Sequence, residues 1–403
     1  MNRRWMVALA LSCAVAGSFR PGAPAAEITA KMEGDSVIRV VSHGLFETTI
    51  TKRKGFAGSF WDLKNDAGKK FDLGPVLDEN GILWTKCGFP NDLEKSDGSW
   101  YAAPCEKIEL LESGPARVRA RTSGPHCRYG MTDPKAQWKE FPFEQTFTMY
   151  PSGATYIDYC LVAERPIKLH HFLLIIKSNG SWGPSGKGEQ KGEVHCASDS
   201  GDKVEYGKGS CLALQRSTGP THFQDFLMVF QKGKFGATYW NEGYLDKDIR
   251  TGLNLLSRWP EKGASGRDHI PILFCFGQDI NSPEAARRYA EDYRTPDKLA
   301  VIQGQAVMDN PGDYDRDGFN EAEGCYVLSS ASGGVVFTLH GWPSPRINPA
   351  FKILQWKAEA PKTILVGDKR LTARTDFVAS VTGEGLLLQI LSSIGDDAKI
   401  TIP

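Results

Sequence analysis

The sequence predicts an all-β protein in two parts, a large antiparallel β-sandwich followed by a small C-terminal β-sandwich. Three observations carry that expectation. From Ser36 onward, short apolar or alternating runs are broken by Gly, Pro, Asn and Asp, and the 403 residues include 42 Gly and 23 Pro at 41% hydrophobic content, the makeup of a turn-rich globular chain. Phe141 to Tyr150, the turn Pro151-Ser-Gly153 and Thr155 to Val162 read as one long hairpin with Phe141, Phe143, Phe147 and Met149 on a single face. Only Ser282 to Tyr293 has clear helical periodicity. Ser282 suits an N-cap, Pro283 the first turn, and Ala285, Ala286, Tyr289, Ala290 and Tyr293 one apolar stripe.

Taken in order, residues 1–26 have the layout of a secretory signal peptide. Arg3 and Arg4 precede an apolar run from Trp5 to Val15, and Ala23-Pro-Ala25 leads into Ala26-Glu27. Removal is expected near Ala25 or Ala26, which places the mature chain outside the cell or in a periplasm. No other run approaches the ~20 apolar residues of a transmembrane helix. Cleavage removes Arg3, Arg4 and Arg20, leaving 48 − 3 = 45 basic against 48 acidic residues. A balance of −3 does not point to nucleic acid as a partner.

Residues 27–295 are expected to form the large domain. Val37 to Val41, Leu45 to Ile50 and Gly58 to Leu63 open it, and Asn65 to Gly68 makes a turn. Phe71 to Ala103 carries Trp84, Trp100 and Tyr101 amid Gly, Pro and Asp, and reads as a long loop whose aromatics either meet a ligand or pin it to the core. Arg117, Arg119 and Arg121 alternate strictly, so all three point to one strand face, toward an acidic ligand or toward water. The tandem His170-His171 sends one imidazole to each side of its strand. Further strands follow at Cys211 to Leu214, Phe226 to Phe230, Gly236 to Trp240 and Ile270 to Phe276. Residues 296–324 are expected to be a linker, and 325–403 a small sandwich with strands near Tyr326, Val335, Phe351, Thr363, Phe377 and Leu386.

Of nine cysteines, Cys13 leaves with the signal and eight remain. In an exported chain they can form disulfides, with Cys87–Cys105 and Cys196–Cys211 as local pairings, or sit buried as small apolar residues.

The most specific signal is the acidic stretch from Asp313 to Glu323. Asp313, Asp315 and Asp317 followed by Gly318 place three carboxylates around one point while the glycine takes the turn, and the Phe319 carbonyl, Glu321 and Glu323 add further oxygens. Hard oxygen ligands without nearby His or Cys favour Ca2+. The stretch resembles an EF-hand or dockerin loop and departs from it where Gly324 replaces the twelfth-position acid. The competing reading is a solvated acidic turn between the domains.

A second resemblance rests on strand rhythm. Gly44 to Ile50, Gly58 to Lys64 and the hairpin Phe143 to Asp158 are similar to the galactose-mutarotase-like β-supersandwich of sugar epimerases and several polysaccharide lyases, over about residues 30–295. Some of those lyases add a smaller β domain after it. Neither the Asn-His context of aldose epimerases nor the helical toroid of chondroitin-type lyases is present.

The resemblance implies a carbohydrate-active protein with an acidic polysaccharide as partner. A lyase needs a base for the proton beside a uronate carboxylate and a cation or donor to neutralise that carboxylate. His170, His171 and Tyr239 are the candidate catalytic residues. Arg119, Arg267 and His269 are candidate neutralisers, and Trp240 is a stacking platform. Glycoside hydrolysis would instead use two carboxylates, with Glu242, Asp246 and Asp268 available. A noncatalytic carbohydrate-binding or cell-envelope protein is the third reading. No Gly-x-Ser-x-Gly elbow supports a serine hydrolase.

Overall fold

The computed structural model describes residues 27–43, 46–52, 83–88, 100–102, 106–128, 137–167, 171–178, 192–195, 211–216, 226–230, 235–244, 248–257, 264–276, 283–330, 333–340, 346–395 and 397–403, in some strands by backbone alone. The expected signal peptide, the turn at 65–68 and His170 fall outside them.

The described chain is all-β apart from one helix. An N-terminal meander comprises β1 (Ile28–Glu33), β2 (Val37–Ser42) and β3 (Phe46–Thr51). The body follows as β4 (Leu83–Gly88), β5 (Trp100–Ala102), β6 (Lys107–Gly114), β7 (Arg117–Arg128), β8 (Gln137–Met149), β9 (Ala154–Ile167), β10 (His171–Ser178), β11 (Gly192–His195), β12 (Cys211–Arg216), β13 (Phe226–Phe230), β14 (Phe235–Tyr244), β15 (Asp248–Ser257) and β16 (Ala264–Phe276). These form a 13-stranded sheet in the order β11-β12-β13-β16-β9-β8-β7-β5-β4-β10-β15-β14, with β6 on β7. Trp84, Trp100 and Tyr101 therefore lie on sheet strands, where the sequence predicts a loop. The hairpin forms as expected: β8 and β9 pair from Phe143↔Leu161 to Met149↔Thr155. Phe143 and Phe147 are buried, and Phe143 stacks on Tyr159 at 5.6 Å.

Helix α1 (Pro283–Arg294) joins the sheet to the small sandwich. That sandwich contains β17 (Lys298–Gln303), β18 (Gln305–Ala306), β19 (Phe319–Asn320), β20 (Cys325–Ser329), β21 (Val335–His340), β22 (Ala350–Leu354), β23 (Thr363–Val366), β24 (Lys369–Thr372), β25 (Phe377–Thr382), β26 (Gly385–Ile390) and β27 (Ala398–Ile402). One layer is β17-β21-β27-β23-β24 and the other β18-β20-β22-β26-β25, with β19 on β20. Two strands precede the acidic loop, so the loop is an excursion within the sandwich, where the sequence predicts a linker ahead of it.

The two parts share one apolar core. Tyr150, Tyr156, Leu273 and Cys275 of the large sheet and Tyr293 of α1 cluster with Phe319, Tyr326, Phe337 and Phe351 of the sandwich. β26 is buried along its whole length because both its faces are covered: Leu386 and Leu388 face that shared core, while Leu387 meets Ala116.

Candidate functional site

The register of β7, β8, β9 and β16 assembles one mixed-character sheet face. Arg119 lies opposite Thr148, Arg121 opposite Thr146 and Ser123 opposite Glu144. Those β8 residues face Tyr156, Asp158 and Cys160, which in turn face Leu273, Pro271 and His269, with Arg267 opposite Val162. Because side chains alternate along each strand, Tyr156, Leu273 and Cys275 run under the small sandwich. The same face then emerges with Asp158, Cys160, His269, Arg267 and Glu144.

His269 is held at both ring nitrogens. Nδ1 lies 2.9 Å from Asp158 Oδ2 and Nε2 lies 3.6 Å from Cys160 Sγ. The hydrogen bond to Asp158, then that to Cys160, outweighs the burial that opposes charge and raises the imidazole to about 10. At neutral pH this residue is therefore an imidazolium. Arg267 bonds Glu144 at 2.5 Å, both partly exposed. Tyr314, from the acidic loop, lies over the imidazole with ring centroids 5.3 Å apart. Burial, and next the Asp158 charge, push its phenol well above the ordinary range.

The acidic loop holds Tyr314 in place from below. Asp313 Oδ1 accepts the Arg316 N–H at 2.7 Å and Oδ2 accepts the Gly318 N–H at 3.0 Å. Asp317 Oδ1 accepts the Phe319 N–H, and Glu321 Oε2 accepts the Tyr314 N–H, each at 2.8 Å. Asp313, Asp315 and Asp317 each bring a carboxylate oxygen within 4.8 Å of the others. Val327 N–H donates to the Gly318 carbonyl, so Phe319↔Tyr326 is a non-hydrogen-bonded pair of the ladder. The Phe319 carbonyl then points away from β20, toward the side on which Asp317 accepts its N–H. Burial, and next the neighbouring acids, push Asp317 up to about 6 and Glu321 up to about 8, against the N–H bonds they accept. Three clustered carboxylates and a carbonyl on their side are a donor set that fits a hard divalent cation.

Two expected assignments change. Glu323 turns away from this cluster: Arg117 reaches it at 2.6 Å, Arg119 at 3.2 Å and Lys352 at 3.4 Å. Burial alone would raise this carboxyl, but the three cations hold it at about 2. Arg119 is correspondingly an interdomain ion-pair residue, where the sequence predicts a substrate contact. Arg121 pairs with Glu109, and Arg117, 1% exposed, adds Glu112 at 2.6 Å. Gly324 follows from the same packing. Its φ is +67°, and a Cβ there would lie 2.0 Å from the Tyr156 ring, so no acid can occupy the twelfth place.

A second buried joint stands beside the first. Arg346 bonds Asp292 Oδ1 at 2.9 Å, and its guanidinium lies 4.3 Å from the Phe319 ring centroid.

Of the remaining candidates, Arg267 and His269 are brought together. His171 lies on β10 and Tyr239, Trp240 and Glu242 on β14, six and eight places from β16 in the sheet order. The side chains of His171, Tyr239, Trp240 and Asp268, like His170 and Asp246, lie outside the described residues. Asp158, Cys160, Glu144 and Tyr314 join the site without having been singled out in the sequence. Cys275 and Cys325 are free and buried, and Cys160 is buried against His269, where the sequence allows disulfides; the pairings Cys87–Cys105 and Cys196–Cys211 lie outside the described side chains.

No family model and no curated protein matches the chain. Solved structures do. One described as an aldose 1-epimerase from Klebsiella pneumoniae has a TM-score of 0.39 at 10% identity, covering 64% of this chain and 83% of that one. Heparinase III, the BT4657 gene product, has a TM-score of 0.35 at 10% identity over 77% of this chain and 40% of that one. Heparan sulfate lyase HepC from Pedobacter heparinus has a TM-score of 0.37 at 7% identity, over 77% and 41%. The chain thus spans about two-fifths of the length of either lyase.

Proposed function

We propose that this protein is an exported carbohydrate-active enzyme that cleaves an acidic polysaccharide by β-elimination at the seam where Tyr314 of the small sandwich covers His269 of the large sheet. The observation that carries the reading is the convergence of an imidazolium, a guanidinium and a phenol on one half-exposed face. His269 and Arg267 meet the uronate carboxylate and stabilise the negative charge that builds as the neighbouring proton leaves. Tyr314 handles the proton, as phenolate toward the α-carbon and as phenol toward the leaving oxygen. Both His269 and Tyr314 are raised, so the base forms only on the alkaline side. We further propose that Ca2+ sits among Asp313, Asp315 and Asp317 with the Phe319 carbonyl, and steadies the loop that presents Tyr314.

A noncatalytic glycan-binding role is the second reading, favoured by the protonated His269, which offers an anion a positive charge and no free base. Adding acidic polysaccharides to purified protein and following the ultraviolet absorbance of the unsaturated product separates the two. The lyase reading expects absorbance that grows with pH toward about 10 and is abolished in Tyr314→Phe. Binding of a polymer that stays intact at every pH would leave only the second reading.

A further inference from the structure

We propose that the outer face of β17-β21-β27-β23-β24 is a docking surface for an anionic polysaccharide, separate from the His269 seam; the identity of the polymer rests on the acidic-glycan reading above. Alternation settles which side chains face outward. Phe337, Leu339, Ile364, Leu371, Ile400 and Ile402 enter the core, so the residues between them face solvent. In register, Lys298 lies opposite His340, Lys399 opposite Thr338 and Arg370 opposite Leu365. Lys298, Arg370 and Lys399 are exposed, and they stand on three strands of a sheet roughly 19 Å wide at ~4.8 Å per strand.

The sign of this face is what distinguishes it. The whole chain balances 48 basic against 48 acidic residues, and several cations elsewhere stand against acids, Arg39 with Glu33 and Glu47, Lys107 and Arg121 with Glu109, Lys352 with Glu384, while Lys31, Arg288 and Lys357 are exposed but scattered over separate elements. Among the described residues, Lys298, Arg370 and Lys399 have no ion-pair partner, and no strand of this layer turns a carboxylate outward. Asp397, at the end of β27, is bonded to His340 Nδ1, and His340 Nε2 in turn meets Thr338 Oγ1 at 2.7 Å; Asp368 lies in the turn between β23 and β24 and not on a strand. Between the cations lie Thr338, Thr363, Thr372 and Thr401, whose hydroxyls can bond sulfate, carboxylate or sugar oxygens. An open sheet face with cations on three strands suits an extended polymer whose charges repeat, and such contacts weaken with salt.

The test is retention of the full chain on immobilised heparin, with polygalacturonate as a carboxylate-only competitor and duplex DNA as a different polyanion. The triple variant K298E/R370E/K399E is expected to elute at no more than half the salt concentration of the parent. A control with the same charge change at exposed sites elsewhere, K31E/R288E/K357E, is expected to elute near the parent. An equal fall in both triples, or no fall in the first, overturns the proposal. Displacement by DNA as readily as by either polysaccharide overturns it too, in favour of nonselective polyanion attachment. Competition by polygalacturonate marks the ligand group as carboxylate, and its failure beside free heparin marks it as sulfate; both sustain the face as the site. Retention is read without turnover, so an inactive protein still retained by heparin would reject the lyase reading and leave this one intact.

Discussion

Glu323→Gln tests whether the ion-pair joint, and not the apolar seam alone, holds the two β-sandwiches together. The carboxyl is held at about 2 against an ordinary 4.5, and at 1.36 kcal/mol per pH unit this difference is worth about 3 kcal/mol. A folded-state value below the unfolded one stabilises the native state above about pH 4.5, and that contribution disappears as pH falls toward 2. Glutamine keeps the shape and removes the charge, leaving Arg117 with Glu112 and Lys352 with Glu384. Urea unfolding should show the variant less stable by about 3 kcal/mol at pH 7, with the gap closing between pH 4.5 and 2. Other carboxyls titrate in that window, but they do so in both proteins and cancel in the difference. If the two stability curves ran parallel through the window, the charge on Glu323 would contribute nothing and the argument would be wrong.

Other perturbations bear on the site itself. Asp158→Asn removes the largest cause of His269's raised value, so the imidazole, followed by NMR, should titrate several pH units below about 10; an unmoved titration would show that Asp158 does not set it. The stability that His269 contributes is present in full below its ordinary 6.5 and fades as pH rises toward about 10, so Asp158→Asn should flatten the alkaline slope of unfolding. Asp315→Ala should melt in calcium buffer near the temperature of chelated parent protein. With free ion at a hundredfold its dissociation constant the parent gains about 2.7 kcal/mol, and equal melting of the parent with and without chelator would remove the case for an ion. Gly324→Ala should destabilise by several kcal/mol, the mark of overpacking combined with backbone strain, because its methyl meets the Tyr156 ring; an unchanged unfolding midpoint would contradict the close approach.

The fold class was legible because alternation and turn residues are local. Phe143 to Tyr150, the turn and Thr155 to Val162 carry the hairpin in the chain itself, and the Pro283 to Tyr293 stripe carries the helix. What the chain does not carry is register between strands remote in sequence. Asp158 and His269 are 111 positions apart, and only the pairing of β9 with β16 makes them neighbours. The Arg117-Arg119-Arg121 alternation did indicate one shared face, but not that Glu323 would fold back over it. Trp84, Trp100 and Tyr101 read as loop because Gly, Pro and Asp surround them, and tertiary pairing overrode that local signal. The acidic loop was legible as a carboxylate cluster. Its last position was not, because the need for Gly324 comes from Tyr156, a residue of another strand.

These contacts give the seam its logic. A site built from two sandwiches works only if their relative placement is fixed, since a 1 Å drift of Tyr314 from His269 would undo the geometry. The chain fixes it at the C-terminal end of the acidic loop. Tyr326, just beyond the loop, donates its hydroxyl proton to the Asp297 carbonyl at the start of the small sandwich. Tyr150 of the large sheet bonds the Glu323 carbonyl at 2.7 Å, where Arg117 also holds the side chain. Arg346 meanwhile ties α1 to the Phe319 ring. Tyr314 belongs to the loop that these anchors close, so loosening them should disturb the His269 environment without any change at His269 itself. Glu323→Gln is therefore expected to shift the His269 NMR titration as well as to lower stability. A destabilised protein with an unmoved His269 would show that the joint holds the domains together without positioning Tyr314.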